Sequence, residues 1–334
     1  MPTDSTATGN VSVVDAGVLN PSSYGIFAEG AGSVGGNITS GGVIISAPPP
    51  PPDPPPVTGS TGIHAETIGL GVVILTSNAG IDARTIGSGP ITIIHRKSDI
   101  LWQNDDGSPA IWFMNGTSLL SGAALGNPGS DWHVKGSGDF NGDGNSDILW
   151  QNDSGQAAIW LMNGLTQIGG SPAGGNPGTD WHVIGSGDFN GDGKADILWQ
   201  NDNGQAAIWL MDGYTLLSGS TVGGNPGPSW HVKAAGDFDG DGKSDILWQN
   251  DNGQAAIWLM NGLTELVGSP VGGNPGPTWH VEGAGDFNGD GMADILWQND
   301  DGQAAIWTMN GLTQLGGGAA GGNPGSSWHV IAAG

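Results

Sequence analysis

Four segments of the sequence place acidic and amide side chains at the first, third, fifth and ninth of nine successive positions. The segment from Asp188 to Asp196 reads DFNGDGKAD, so three carboxylates and one amide lie close together along the chain. Carboxylates at this spacing repel one another strongly unless a cation lies between them. Because Ca²⁺ accepts six to eight oxygen ligands in irregular geometry, the pattern predicts four calcium sites.

Each segment is expected to provide five ligands. Side-chain oxygens would come from positions 1, 3, 5 and 9, and a backbone carbonyl from position 7, which explains why the side chain at position 7 varies. Glycines at positions 4 and 6 would let the backbone wind around the ion. The alternative is a set of solvated turns without an ion. The predicted metal ligands are Asp139, Asn141, Asp143, Asn145 and Asp147; Asp188, Asn190, Asp192, Lys194 and Asp196; Asp237, Asp239, Asp241, Lys243 and Asp245; and Asp286, Asn288, Asp290, Met292 and Asp294.

The segments belong to a longer repeat of 48 or 49 residues that runs from residue 99 to the end of the sequence. All 15 Trp fall in three columns of this repeat. Asn, Gly and Pro turn signals divide one copy into four predicted strands. In the copy at 181–229 these strands are 181–187, 196–200, 205–211 and 215–222. Four strands with no helix between copies predict an all-β fold, a β-propeller of four-stranded blades, with a β-solenoid as the alternative.

The calcium pattern lies between the first and second strands of a copy and is preceded by Gly. It differs from an EF-hand, which needs Glu at position 12, where this sequence has Trp. The pattern D-x-[ND]-x-D-G-x-x-D, repeated in register, resembles the FG-GAP or VCBS repeats of integrin α-chain propellers and of many bacterial surface proteins. This resemblance covers residues 99–334 and implies that the four loops hold structural calcium.

The first copy begins on a second strand at Asp99, whereas the sequence from Trp328 to Ala333 repeats a first strand. We therefore expect the last strand to pair with the first copy and to close a ring of five blades. An open fragment of a longer array and a seven-blade ring are the alternatives. The residues before Asp99, 94–98, read IHRKS, so no fifth calcium site is expected there.

Charge and composition exclude several classes of function. Seven Lys and Arg stand against 32 Asp and Glu, a net charge of −25, which argues against binding to nucleic acid or to an anionic membrane. There is no Cys, so disulfides, thiolate metal sites and cysteine nucleophiles are excluded. No run of about 18 apolar residues predicts a membrane span, and no secretory signal is visible at residues 1–10.

The aromatic and His columns are interpreted as structural. Strands that are apolar on both faces favour Trp packed between blades, although stacking of sugars on indole rings is the alternative. The five His that follow Trp are expected to form hydrogen bonds rather than to bind metal. No catalytic residue is assigned, because the repeats are nearly interchangeable and the residues that break the symmetry are scattered singly. These residues are Lys135, Tyr214, Glu265, Glu282 and Met292.

The first 95 residues differ in composition and are rich in Gly, Ser, Ile and Val. Residues 1–47 are interpreted as a β-helix-like or disordered segment, 48–56 as a polyproline linker, 57–95 as a β-helix-like segment, and 96–334 as the propeller. Gly62 and Gly80 begin similar sequences 18 residues apart, the length of one β-helix coil. This region weakly resembles bacterial autotransporter or haemagglutinin-like adhesins.

Together these features predict a calcium-stabilised binding or adhesion module, extracellular or on a bacterial cell surface, with several equivalent sites for glycans or cell-surface polymers. Millimolar calcium outside cells would fill loops of modest affinity. A structural array or self-assembling surface filament is the first alternative, so self-association stays open. A hydrolase or lyase that acts on polysaccharides is the second alternative, and the protein is expected not to be an enzyme. No nucleic acid partner and no membrane insertion are expected.

Overall fold

The computed structural model describes residues 100–115 and 118–330, together with the backbone of eight short strands before residue 95. The chain divides into two compact units, Met1–Ser98 and Asp99–Gly334. The predicted polyproline linker at 48–56 lies outside the described residues. Among the described residues, no helix has the length and apolar character needed to span a membrane.

The first unit contains two sheets of four parallel strands each. Their strand orders are β1-β3-β6-β8 and β2-β4-β5-β7, so successive strands in the second half of the unit alternate between the sheets. Ile63 pairs with Ile81 and Val73 with Ile91, which sets a spacing of 18 residues between paired strands. The strands are β1 Val13–Val14, β2 Ile26–Ala28, β3 Asn37–Thr39, β4 Val43–Ile45, β5 Ile63–Ile68, β6 Val73–Thr76, β7 Ile81–Ile86 and β8 Ile91–Ile94.

The second unit is built from five antiparallel sheets in sequence order, the five blades of a β-propeller. In the described residues the first blade has three strands and each of the others has four. The strands are β9 Ile100–Gln103, β10 Pro109–Asn115 and β11 Ser118–Ala124; β12 Trp132–Gly138, β13 Asp147–Asn152, β14 Ala157–Asn163 and β15 Thr166–Pro172; β16 Trp181–Gly187, β17 Asp196–Asn201, β18 Ala206–Asp212 and β19 Thr215–Thr221; β20 Trp230–Gly236, β21 Asp245–Asn250, β22 Ala255–Asn261 and β23 Thr264–Pro270; and β24 Trp279–Gly285, β25 Asp294–Asn299, β26 Ala304–Asn310 and β27 Thr313–Ala319.

The predicted all-β propeller is therefore confirmed, and the four strands predicted in the third blade agree with β16 to β19 within one residue. The expected closing strand, Trp328–Ala333, lies partly outside the described residues. Its described part, Trp328 to Val330, is not assigned to a sheet. Pairing of this segment with the first blade stays a prediction.

The core lies between neighbouring blades. Phe140, Leu149 and Ile159 of the second blade pack in one cluster with Ile197 and Trp199 of the third. The same residue columns form the clusters between the third and fourth blades and between the fourth and fifth. Because both faces of an inner blade are covered, its second strand is buried along nearly its full length. The prediction that Trp packs between blades is confirmed for the column Trp150, Trp199, Trp248 and Trp297.

A Gln at the end of each second strand, buried in blades two to five, connects one blade to the next. Gln200 Nε2 donates to the carbonyl oxygen of Trp230 at 2.7 Å, and its Oε1 accepts the backbone N–H of Val232 at 2.9 Å. The same pair of bonds occurs at each of the other junctions in the described residues, including Gln298 with Trp328 and Val330. Each innermost strand is therefore held by the blade before it.

Candidate metal centres

Four acidic loops connect the first and second strands of blades two to five. In the third blade, β16 ends at Gly187 and β17 begins at Asp196, so the nine predicted positions span the connection. Gly191 and Gly193 have φ of +76° and +82°, in the left-handed region that favours glycine. The other three loops repeat these two positive φ values. The backbone therefore follows a path at positions 4 and 6 that favours glycine, as the sequence predicts.

The first Asp of each loop organises the turn. Asp188 Oδ1 accepts the N–H groups of Gly191 and Asp192, at 2.7 and 3.2 Å, and its Oδ2 accepts that of Gly193 at 2.8 Å. Asp139, Asp237 and Asp286 accept the same three bonds in their loops. These bonds hold the carboxylate on the inner side of the loop, where a bound ion would also lie.

The ninth Asp is an anchor between the loop and the third strand. Asp196 is fully buried, and its two oxygens accept the N–H groups of Phe189 at 3.0 Å and Met211 at 2.8 Å. Burial raises the pKa of Asp196 to about 7, although these two hydrogen bonds oppose the shift. Burial likewise raises the pKa of Asp147 to about 6 and that of Asp245 to about 7. A bound cation would favour the charged form that burial disfavours.

The loop of the fourth blade brings three carboxylates together. Oxygen atoms of Asp237, Asp239 and Asp245 all lie within 4.8 Å of one another. Calcium binds oxygens at 2.3–2.6 Å, so ligands of one ion are at most about 5 Å apart. The donor set of this loop therefore fits a hard divalent cation. In the same loop Asp241 forms an ion pair with Lys243 Nζ at 2.9 Å, and its role as a calcium ligand stays a prediction.

The other three loops have Asn at position 3, where the fourth-blade loop has Asp239. Asn141, Asn190 and Asn288 each donate a side-chain N–H to the Asp at position 5, at 2.9–3.1 Å. Their oxygens accept the backbone N–H of the same Asp. The ligand roles of these residues, and of the backbone carbonyls of Asn145, Lys194, Lys243 and Met292, stay predictions.

Neighbouring loops are connected directly to one another. The backbone N–H at position 8 of one loop donates to the carbonyl oxygen of the first Asp in the loop before it. These bonds join Ala195 to Asp139 at 2.7 Å, Ser244 to Asp188 at 2.6 Å, and Ala293 to Asp237 at 2.6 Å. Sequence reasoning did not identify this connection, because it depends on how consecutive blades are placed.

The His column has the structural role that was predicted. His182 Nε2 lies 2.7 Å from Asp202 Oδ1, and the pairs His133–Asp153, His231–Asp251 and His280–Asp300 have the same distance. Both partners of each pair are about half exposed or more. Each pair joins the start of a first strand to the hairpin after the second strand, so the His are hydrogen-bonded residues at the surface.

One family model and one solved structure are similar to parts of this chain. A family model described as FG-GAP-like repeat matches residues 139–199, 188–248 and 237–297. No curated protein matches the chain. Among solved structures, the chain is similar to the β-propeller domain of Cps50 (Swd1) from Myceliophteria thermophila, with a TM-score of 0.40 and 9% sequence identity. The similarity covers 63% of this chain and 61% of that domain.

The three matched ranges each begin at the first Asp of an acidic loop and end at the Trp of the next second strand, so the family signal coincides with the loops and strands described above. The second unit contains five such sheets. The FG-GAP-like repeats at 139–297 and this five-blade arrangement together support an FG-GAP repeat β-propeller.

Proposed function

We propose that this protein is a calcium-stabilised extracellular module for binding or adhesion, and that it recognises glycans or other cell-surface polymers. The convergence of Asp237, Asp239 and Asp245 carries the calcium part of the proposal. At an effective dielectric constant of 20, two charges 4.8 Å apart repel by about 3.5 kcal/mol. A divalent cation at the centre replaces this repulsion with attraction, and it also compensates part of the net charge of −25.

The links between loops explain how calcium would stabilise the whole propeller. An ion that fixes the first Asp of one loop also fixes its backbone carbonyl, which accepts a hydrogen bond from the next loop. An ion that fixes the ninth Asp would also fix the third strand, because this Asp accepts the N–H of Met211 or its equivalent. The ions would therefore stabilise both the connection within a blade and the junction between blades.

The extracellular location is proposed from the loops themselves. Sites built mainly from carboxylates and amides of a surface loop reach modest affinity, and calcium concentrations outside cells are high enough to fill such sites. FG-GAP repeats are typical of extracellular proteins. The proposal is tested by measuring the calcium affinity of the purified protein, and sub-micromolar binding at every loop would favour a site inside the cell.

Binding to a polymer is proposed from the repetition of surfaces. Near-identical blades present equivalent surfaces, so weak binding at each of them would add to a high overall avidity for a repetitive ligand. We also propose that the protein acts without catalysis, because the blades are nearly interchangeable. A glycan array probed in calcium and in chelator tests this part. Binding to no polymer, together with release of sugar from one, would overturn it.

Thermal unfolding with calcium and with chelator tests the metal part. We expect calcium to raise the melting temperature and the chelator to lower it. D239N removes one carboxylate and makes the fourth-blade loop similar to the other three, so its calcium affinity should fall. N190D makes the reciprocal change in the third blade and should raise the affinity of that loop. A melting temperature indifferent to calcium and chelator in all three proteins would contradict the proposal.

A second candidate is a self-assembling array, and one observation favours it. Trp102 of the first blade is 45% exposed, whereas the equivalent Trp150 is fully buried by the preceding blade. Phe287 of the fifth blade is 42% exposed, whereas Phe238 is fully buried by the following blade. These two apolar faces correspond to the two sides of an internal junction. In a closed ring they would pack together within one chain, and in this candidate they pack together between copies. Light scattering in calcium tests the candidate, and a concentration-independent monomer would exclude it.

A further inference from the structure

Two blades contain a small cavity walled by Trp and Pro. In the fourth blade it has a volume of about 210 Å³, and its walls include Trp230, Trp248 and Trp258, with Pro226 and Pro270. The equivalent residues of the second blade, among them Trp132, Trp150 and Trp160, surround a cavity of about 220 Å³. Pockets for drug-sized ligands measure about 300–1,000 Å³, so these cavities suit one small group.

Two indole rings in the wall of the cavity pack against one another. The ring centroids of Trp248 and Trp258 lie 4.6 Å apart, and the ring planes are tilted by 50°. Trp258 lies against two glycines, Gly268 of its own blade and Gly223 of the blade before it. A Cβ atom at either glycine would collide with the indole. This close packing holds the ring in place before any ligand binds, which reduces the entropy lost on binding.

A carboxylate beside the cavity distinguishes the fourth blade from the second. Glu265 is half-buried, and its Oε1 and Oε2 lie next to Gly268 and Gly223, the two glycines that flank Trp258. Among the described hydrogen bonds and ion pairs, none involves Glu265. The equivalent residue of the second blade is the neutral Gln167, which lies next to Gly170 of its own cavity.

We propose that the cavity of the fourth blade binds a small quaternary ammonium ion. Cations are attracted to the faces of aromatic rings, and Trp attracts them most strongly, as in the aromatic cages that recognise methylated ammonium groups. Glu265 adds the attraction of a negative charge that has no cationic partner in the described structure. Alkyl groups on the nitrogen would contact the apolar walls of the cavity, whereas a hydrated metal ion would not. The site uses none of the predicted calcium ligands.

Choline and its uncharged isostere, in which carbon replaces the nitrogen, test the charge requirement. Both are titrated by calorimetry into the full protein in saturating calcium. We expect choline to bind with at least about tenfold higher affinity than the isostere, because only choline gains the cation–π and carboxylate attraction. Equal affinity of the two compounds, or no heat from choline at millimolar concentration, would overturn the proposal.

Matched variants test the assignment of the site. E265Q reproduces the side chain of the second blade and should weaken choline binding about tenfold, whereas Q167E should create a second site of similar affinity. Both changes lie on fourth strands and replace no predicted calcium ligand, and an unchanged melting temperature checks that each variant is folded. Wild-type choline affinity in a folded E265Q protein would refute the role of Glu265. The choline titration does not depend on whether the acidic loops bind calcium. The choline proposal and the calcium proposal can therefore be refuted independently.

Discussion

Replacement of Asp245 by Asn should destabilise the fourth blade even without calcium. Asp245 is buried and accepts the N–H groups of Phe238 and Met260 at 2.9 and 2.8 Å. Asn keeps one acceptor oxygen but turns an NH₂ group towards the other donor, so one buried N–H loses its partner. An unsatisfied buried donor costs about 1–3 kcal/mol of unfolding free energy. In calcium the loss should be larger, because the variant also lacks one predicted ligand.

Urea unfolding of wild type and D245N at pH 5, in chelator and in calcium, measures both effects. At that pH the raised pKa leaves Asp245 uncharged without calcium, so the variant does not gain by removal of a buried charge. D202N is the matched control, because Asp202 is exposed and its pair with His182 should contribute at most about 1 kcal/mol. We expect D245N to unfold at clearly lower urea than D202N in chelator, and the gap to widen in calcium. Equal midpoints for D245N and wild type in chelator would refute the anchoring role. An unchanged gap in calcium would refute the ligand role.

Three further predictions concern pH, packing and the junctions between blades. Because burial raises the folded-state pKa of Asp196 to about 7 from 3.8, the contribution of this group to the stability of the ion-free protein should be complete below about pH 4 and should be lost as pH rises to 7. Urea unfolding should therefore have a higher midpoint at pH 5 than at pH 8, and equal midpoints would contradict this. G219A should cost about 1–3 kcal/mol, because a Cβ there would collide with Trp209, whereas G224A has open space and should unfold like wild type. Q200A leaves the buried N–H of Val232 and the carbonyl of Trp230 without their partner, so it should lower the unfolding free energy by about 2–4 kcal/mol. Hydrogen exchange in the first strand of the fourth blade should also become faster. Exchange at the wild-type rate would argue against a role of Gln200 in joining the two blades.

Local patterns predicted the blades well because each turn carries its own signal. The sequence Asn-Asp-Asn-Gly at 201–204 and the Asp-Gly at 212–213 end strands within one residue of the predicted bounds. The loop glycines were predicted for the same reason, since positive φ values belong to single residues. Alternation of apolar residues likewise identified Trp199 as part of the core.

Features that join different blades were not predictable from a single repeat. The two bonds of Gln200 and the bond from Ala195 to Asp139 depend on the position of the neighbouring blade, about one repeat away in the chain. The partner of Asp241 was also missed, because the long side chain of Lys243 can reach several acceptors. Glu265 was noted only as a residue that breaks the symmetry, since its closeness to the Trp-lined cavity appears only when the fourth strand folds back.

The central claim is that cations occupy the acidic loops and hold the blades together. A crystal structure of the protein grown in millimolar calcium, with anomalous diffraction recorded at long wavelength, tests it most directly. We expect an anomalous peak in each of the four loops that begin at Asp139, Asp188, Asp237 and Asp286, with the ninth Asp among the ligands. Well-ordered loops that contain only water at that calcium concentration would contradict it.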